Sequence, residues 1–246
     1  MQMITAVDTS DLRLFSHQDL DGLPVSVQRY FRRTLREGQP LIRQVAIKQR
    51  GFMRLRENSP KRQPFTATQL VTTAPVGFSW RAQIKVAPLL RVQVVDRYQD
   101  SKGLLEAKLF GVVTLAHAHD SRELNSGELQ RYLAEAVWFP TALLPSADLR
   151  WQSLGEGSAR ATLRDGDCEV RVTFFFNGRD EIVRAETDRF RQVGNRYRLE
   201  KWSAHYSNYQ RRQEIRIPLT GSVAWEQPQG NFEYWRGDIE DIQYAL

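Results

Sequence analysis

The chain has 246 residues, of which 41% are hydrophobic and 26% are charged. This composition is typical of a globular protein and excludes a disordered chain. The net charge of +6 allows contact with anions, but no nucleic-acid-binding motif accompanies the basic residues, so we expect no specific nucleic-acid partner. We expect a single domain, residues 1–246, because all-β architectures commonly reach this length as one domain.

Targeting and redox signals are sparse. The single cysteine, Cys168, excludes an intramolecular disulfide and is interpreted as a small core residue. The N-terminal segment MQMITAVDTSDLRLF has neither the basic start nor the continuous apolar core of a signal peptide. No window approaches the roughly 18 apolar residues of a membrane span. We therefore expect a soluble, cytoplasmic protein.

The first predicted element is a short amphipathic helix in the segment LPVSVQRYFRRTL, which begins at Leu23. Pro24 suits the first helical position, because its missing N–H costs nothing there. The apolar face of this helix comprises Val27, Tyr30, Phe31 and Leu35.

From Ile42 onward the hydrophobic residues recur with a period of two, which is typical of strands with one buried face. The alternation is cleanest in segment 78–86 and resumes at Leu90 after a break at Pro88. Turn signals at 165–166 (Asp-Gly) and 177–178 (Asn-Gly) predict hairpins and therefore an antiparallel meander. The predicted strands lie at 42–56, 64–73, 78–86, 90–94, 104–118, 148–154, 159–164, 168–176, 181–191, 197–206, 213–218, 222–227 and 231–244.

A second helix is predicted over residues 126–138, with Asn125 or Ser126 as its N-cap and an end enforced by Pro140. Its apolar residues fall on opposed sides, which indicates burial within a concave surface. The sequence therefore predicts a mainly β fold, with a long, strongly curved antiparallel sheet or half-barrel and a helix in its concavity. One side of the helix carries Leu129, Tyr132, Leu133, Ala136 and Val137, and the other carries Ala134 and Trp138.

Four segments of the chain resemble a widespread bacterial family of uncharacterised proteins, classed as a domain of unknown function. These segments are LPVSVQRYFRR, GFSWRA, RYLAEAVWFPTALLP and RIPLTGSVAWEQPQGNFEYWR. The resemblance covers most of the chain and implies no activity, substrate or catalytic residue. The predicted architecture is also similar to the bacterial lipoprotein carriers of the LolA and LppX kind, which hold acyl chains in an unclosed barrel. This chain differs from those carriers in having no recognisable export signal.

A charged group is the first candidate site. Arg131 and Glu135 lie one helical turn apart, and Asp96 interrupts the mostly apolar strand VVDRY. We expect Arg131 and Glu135 to be buried and bonded to the sheet, with Asp96 as the first partner of Arg131. Such residues either orient the polar head of a ligand or form a purely structural ion pair.

Aromatic residues and histidines are the second set of candidates. Trp80, Trp138 and Trp151 either line a ligand cavity or fill the core. His117 and His119 share one side of a strand, but no cysteine or carboxylate accompanies them in that run, so no metal site is predicted. We also expect no cofactor and assign no catalytic residue.

Two function classes and a third, less specific alternative follow from these candidate residues. The first is non-enzymatic binding or transport of a lipid or other apolar or amphipathic small molecule. The second is an enzyme with a dispersed acid–base site drawn from Asp96, Glu135 and the histidines, and the third is an interaction module with a filled core. The densest basic groups are interpreted as solvated faces with at most weak contact with anionic membranes. These groups are Arg29-Arg32-Arg33-Arg36, Lys61-Arg62 and Arg211-Arg212-Arg216.

Overall fold

Thirteen antiparallel strands form one open sheet in the computed structural model, which describes residues 13–194 and 196–246. Strands account for 59% of the described residues and helices for 15%, which confirms the predicted mainly β class. The segment up to residue 12, on which the cytoplasmic expectation partly rests, lies outside the described residues.

The strands form two consecutive meanders. The first comprises β1 (Gln44–Met53), β2 (Gln63–Thr73), β3 (Val76–Ala87), β4 (Leu90–Gln99), β5 (Lys102–Leu109) and β6 (Val113–His119). The second comprises β7 (Leu149–Gly155), β8 (Ser158–Asp165), β9 (Cys168–Phe176), β10 (Ile182–Val193), β11 (Arg196–Arg212), β12 (Ile215–Trp225) and β13 (Phe232–Ala245).

The spatial order of the strands places the first and last strands side by side in the middle of the sheet. This order is β6-β5-β4-β3-β2-β1-β13-β12-β11-β10-β9-β8-β7, so β1 pairs with β13 and joins the two meanders. Strands β6 and β7 follow one another in sequence but form opposite edges. The connection between them must therefore cross from one edge of the sheet to the other.

Helix α2 (Arg122–Glu135) makes this crossing, and two 3-10 turns, Ala136–Trp138 and Pro140–Leu143, complete it. It packs against β4 and β5 of the first meander and against β9 and β10 of the second. Residues on its opposed sides are buried, as the sequence predicts: Leu129 and Leu133 are fully buried, and Ala134 is 1% exposed. The sheet curves because both meanders pack against this one helix.

Helix α1 (Val25–Thr34) matches the predicted first helix, except that Pro24 is its N-cap and not its first residue. Val27, Tyr30 and Phe31 are fully buried against the sheet, where α1 packs on β8 and β12. The arginines of α1 therefore lie on its outer, exposed face. Within the described part of the chain, neither helix has the length and apolar character needed to cross a membrane.

The predicted start of α2 is wrong by four residues. Ser121 is the N-cap, because its Oγ accepts a hydrogen bond from the backbone N of Leu124 at 3.1 Å. Asn125, an expected cap, has a different role: its Oδ1 accepts a bond from the backbone N of Gly103 at 2.8 Å and fixes the helix on β5. The Asn125 side chain thus makes a tertiary contact with β5 and does not cap the helix.

Two strand boundaries also differ from the predictions. The single run 104–118 is divided into β5 and β6 by a turn with positive φ at Phe110 and Gly111. The predicted strands 213–218 and 222–227 are one strand, β12, because the turn lies earlier, at Gln213 and Glu214. The turns expected at 165–166 and 177–178 are present.

Candidate ligand-binding site

A cavity of about 320 Å³ lies between α2 and the concave face of the sheet. This volume is at the lower end of the range for small-molecule sites, about 300 to 1,000 Å³. Both meanders contribute to its walls, so neither half of the chain builds it alone. Its aromatic lining consists of Trp80, Trp138, Phe190, Tyr197, Trp202, Tyr206, Trp225, Tyr234 and Trp235.

A buried charged group centred on Arg131 forms one wall of the cavity. The Arg131 guanidinium donates through Nη1 to Asp96 Oδ2 and through Nε to Glu135 Oε1, the latter at 2.8 Å. It also lies over the rings of Phe78 and Trp80, at 4.7 and 5.3 Å from their centroids. The Arg131 and Asp96 side chains are 14% and 13% exposed, so the expected contact is present and largely buried.

Two buried glutamines of the sheet hold this wall in place. Gln69 on β2 donates through Nε2 to Glu135 Oε2 at 2.6 Å. Gln49 on β1 accepts a bond from Trp80 Nε1 at 2.8 Å. Both glutamines are only 2% exposed. Their buried side-chain amides therefore make hydrogen bonds to residues of the charged wall.

Glu128, one turn before Arg131, has the most perturbed carboxyl group of the cavity. Burial raises the pKa of Glu128 to about 8, and the negative charge of Asp96 adds to this rise. This pKa favours a neutral Glu128 carboxyl group, which can donate a hydrogen bond to Asp96. Arg189 on β10 approaches the other oxygen of Glu128 at 3.3 Å and partly opposes the rise.

Arg191 closes the rim of the cavity by binding two carboxylates. Its guanidinium contacts Glu57 at 2.8 Å and Glu200 at 3.0 Å, and it lies 5.5 Å from the ring centroid of Trp225. Glu57 belongs to the loop between β1 and β2, so this ion pair ties a loop of the first meander to a strand of the second. The hydrogen bond from Arg191 lowers the pKa of Glu57.

The structure brings five of the six sequence-predicted site residues into this cavity: Trp80, Asp96, Arg131, Glu135 and Trp138. The sixth, Trp151, lies elsewhere. Its ring packs against Phe174 at 5.4 Å, and its Nε1 donates to the backbone O of Leu143 at 2.9 Å. Trp151 is thus a partly buried residue that packs against the core of the second meander.

Several lining residues were missed by sequence reasoning. Glu128 precedes Arg131 by three positions and Glu135 by seven, so helical periodicity could have placed all three on one face. Arg189 and the tryptophans of the last strands had no such signal, because their position depends on which strands become neighbours. These tryptophans are Trp202, Trp225 and Trp235.

The remaining sequence candidates lie outside the cavity. His117 is half-exposed, and its Nδ1 lies 3.8 Å from the carboxylate of Glu106 on the neighbouring strand. Within the described residues, no three His, Cys, Asp or Glu side chains are grouped so that they could hold a metal ion. Cys168 packs at the edge of the core, where burial raises its pKa. A larger groove of about 1210 Å³ beside α2 is lined mostly by polar and charged residues, with Cys168 among them.

Comparison with known proteins gives a family and a distant structural likeness. No curated protein matches the chain. A LolA superfamily protein from Nitrosomonas europaea has a similar structure, with a TM-score of 0.44 and 13% sequence identity over 84% of this chain and 87% of that one. A family model matches residues 21–244, and the chain therefore belongs to the family of unknown function DUF6920.

Proposed function

We propose that the chain binds or carries an apolar or amphipathic, lipid-like ligand in the cavity between α2 and the sheet. One observation carries the proposal: an aromatic-walled cavity lies in the hollow, and a single wall bears the charged group of Arg131, Asp96 and Glu135. The interaction module expected from the sequence as an alternative has a filled core and leaves such a cavity unexplained.

The cavity has an aromatic wall and a charged wall, and this arrangement fits an amphipathic ligand. Each buried CH₂ group contributes about 0.8 kcal/mol, so a ten-carbon chain contributes about 8 kcal/mol before the cost of association is subtracted. The charged wall adds direction rather than much affinity, because Arg131 already has carboxylate partners. The head group then lies beside Asp96 and Glu128, and the chain lies along the tryptophans.

The test compares two neighbouring positions on β4. Val94 lines the cavity, whereas Val95 is the next residue on the same strand and points to the opposite face of the sheet. Val94→Trp fills the cavity, and Val95→Trp adds the same bulk outside it. We expect saturable binding of the fluorescent fatty acid cis-parinaric acid by the unaltered chain and by Val95→Trp, and binding at least about tenfold weaker for Val94→Trp.

The outcomes separate the function classes. Displacement of the probe by a phospholipid supports a lipid-like ligand. Absence of saturable binding by the unaltered chain, or equal binding by both variants, would overturn the proposal and favour the interaction module. Circular dichroism of each variant shows whether its fold is retained.

A second candidate, an enzyme, is favoured by one observation. The Glu128 and Asp96 carboxyl groups both line the cavity, and the raised pKa of Glu128 suits proton transfer near neutral pH. If the chain is an enzyme, a bound lipid ester is recovered chemically altered after incubation, and Glu128→Gln leaves it intact. Recovery of the unchanged ester from the unaltered chain argues for a carrier, and mass spectrometry of the extracted ligand makes the distinction.

A further inference from the structure

Arginines from opposite ends of the chain meet in one cleft on the surface. The cleft has a volume of about 580 Å³ and lies between the outer face of α1 and the turn between β11 and β12. The sequence alone indicated two separate solvated faces. The cleft is lined by Arg29, Arg32, Arg33, Asp180, Arg211 and Arg216.

Carboxylates neutralise two of these five arginines. Arg29 Nε lies 3.0 Å from Asp180 Oδ1. Arg216 donates through Nε and Nη2 to a single oxygen of Glu181, at 3.0 and 2.5 Å. Glu181 is almost fully buried, and its pKa remains low because Arg216 outweighs the cost of burial. Arg29, Asp180 and Arg216 belong to the lining of the cleft, and Glu181 lies behind Arg216.

Among residues 13–194 and 196–246, the other three arginines of the cleft form no ion pair with a carboxylate, although Glu181 attracts Arg33 at longer range. These three are Arg32, Arg33 and Arg211. Arg211 Nη1 donates to the backbone O of Glu214 at 2.6 Å, which orients the guanidinium and leaves its charge uncompensated. Three like charges in one cleft repel one another, and a bound anion relieves that repulsion.

The scaffold behind these arginines is rigid. The inner face of α1 is anchored by the fully buried Val27, Tyr30 and Phe31. On the other wall, Arg211 and Arg216 are directly opposite partners in the β11–β12 pairing. The backbone positions that carry these arginines are thus set before any ligand arrives, which lowers the entropic cost of binding.

We propose that this cleft binds a phosphate group, carried either by a free compound or by an anionic lipid headgroup. Guanidinium groups form paired, charge-assisted hydrogen bonds to phosphate oxygens. A diphosphate presents enough charge and enough acceptor oxygens for all three unpaired arginines. The cleft is distinct from the lipid-like cavity: the two share no lining residue, and Arg211 lies about 16 Å along β11 from Tyr206, at about 3.3 Å per residue.

The test removes the three unpaired positive charges of the cleft and compares anion binding with that of a variant that loses three positive charges elsewhere. The triple variant Arg32→Gln, Arg33→Gln, Arg211→Gln alters the cleft. The control, Arg81→Gln, Lys85→Gln, Arg91→Gln, removes three exposed positive charges from β3 and β4. Inorganic pyrophosphate is titrated by calorimetry, and phosphatidylcholine vesicles with about 30% phosphatidylglycerol are used for cosedimentation.

We expect binding by the unaltered chain that weakens with salt, falls at least about tenfold in the cleft variant and stays within about twofold in the control. Binding of pyrophosphate identifies free phosphate compounds as a source, and binding of vesicles alone identifies lipid headgroups. Binding of neither probe, or an equal loss in both variants, would overturn the proposal. Thermal denaturation of the cleft variant confirms that its fold is intact, because all three replaced side chains are exposed.

Discussion

The Arg131 side chain links three parts of the molecule. It belongs to α2, binds Asp96 on β4 and lies over Phe78 and Trp80 on β3. Its neighbour Glu135 extends the link to Gln69 on β2. The ion pairs, hydrogen bonds and ring contacts of this wall therefore all depend on the Arg131 guanidinium. Its loss leaves the carboxylates of Asp96 and Glu135 without their cation.

Replacement of Arg131 should destabilise the fold strongly. Arg131→Met leaves buried carboxylates unpaired, and we expect a loss of about 3 to 5 kcal/mol in the free energy of unfolding. Arg150→Met is the control, because Arg150 pairs with Glu169 while its side chain is 63% exposed, and it should lose less than about 1 kcal/mol. Urea denaturation measures both. Equal losses would show that burial does not control the strength of the Arg131 contacts.

Glu128 makes stability depend on pH in an unusual direction. Its pKa is about 8 in the folded chain and about 4.5 in an ordinary environment, and Asp96, Arg131 and Arg189 are the charged groups that face it. Between these values the folded state binds the extra proton. The stabilising contribution is thus fully present below about pH 4.5 and is lost as the pH rises through about 8.

Glu128→Gln should remove this dependence. The amide stays neutral and can still donate to Asp96, so the variant gains stability relative to the unaltered chain as the pH rises from about 5 to about 9. Glu169→Gln is the control, because arginines hold the pKa of Glu169 below that range. Urea denaturation at several pH values gives the differences. A difference that does not change with pH would show that Glu128 is ionised throughout.

At the scale of elements, α2 illustrates how a helix is positioned by its ends. Tyr206 and Tyr244 on β11 and β13 donate from their hydroxyl groups to the backbone O atoms of Ala134 and Trp138, at 2.9 and 2.7 Å. These bonds satisfy carbonyls that a helix end leaves without partners. The cavity wall on α2 is therefore held against the second meander at its C-terminal end and against β5 at its start.

The N-cap of α2 can be tested directly. Ser121→Ala removes the bond to the backbone N of Leu124 and should cost about 1 kcal/mol of stability. Ser126→Ala should cost less, because the Ser126 hydroxyl donates to the backbone O of Glu123 within the helix and caps nothing. Chemical denaturation compares the two variants. A larger loss of stability for Ser126→Ala would instead identify Ser126 as the N-cap of α2, as predicted from the sequence.

At the scale of the whole molecule, the pairing of β1 with β13 joins the two meanders into one sheet. Gly51 and Gly237 are directly opposite at this junction. A Cβ atom on Gly51 would lie 2.0 Å from the backbone O of Arg236, a distance that no packing tolerates. The junction therefore requires glycine, and α2 makes the second connection between the halves. We propose on this basis that residues 1–246 form one cooperative domain.

Gly51→Ala tests the junction. The added methyl group must push β1 and β13 apart, so we expect a loss of about 1 to 3 kcal/mol, with unfolding still in a single transition. Gly178→Ala is the control, because a Cβ at that turn meets nothing within 4 Å. Thermal unfolding followed by circular dichroism measures both. Two separate transitions in the unaltered chain would contradict the single domain.

Much of this architecture could be predicted because its causes are local. The alternation in β3 follows from a pleated strand with one buried face, and Phe78, Trp80 and Ile84 are indeed buried. The two-sided burial of α2 and the common face of Arg131 and Glu135 follow from the helical repeat. The contact between Arg131 and Asp96 was inferable because a buried charge requires a partner.

Other features had no local cause. Strand β12 continues through Pro218 because β11 pairs with it there, at Tyr209, which no turn signal reveals. Trp151 has the same side chain as Trp138 but packs within the second meander, because β7 is an edge strand far along the sheet from β3.

By itself, the sequence determined the periodicity of each strand and helix, the curved antiparallel class, the family and the charged face of α2. Only the tertiary structure decided that β1 pairs with β13, that Glu128 is buried beside Asp96, and that Arg32 and Arg211 share a cleft. The physical reason is that hydrophobic period and turn chemistry act over a few residues, whereas charge compensation and cavity shape depend on which distant segments become neighbours.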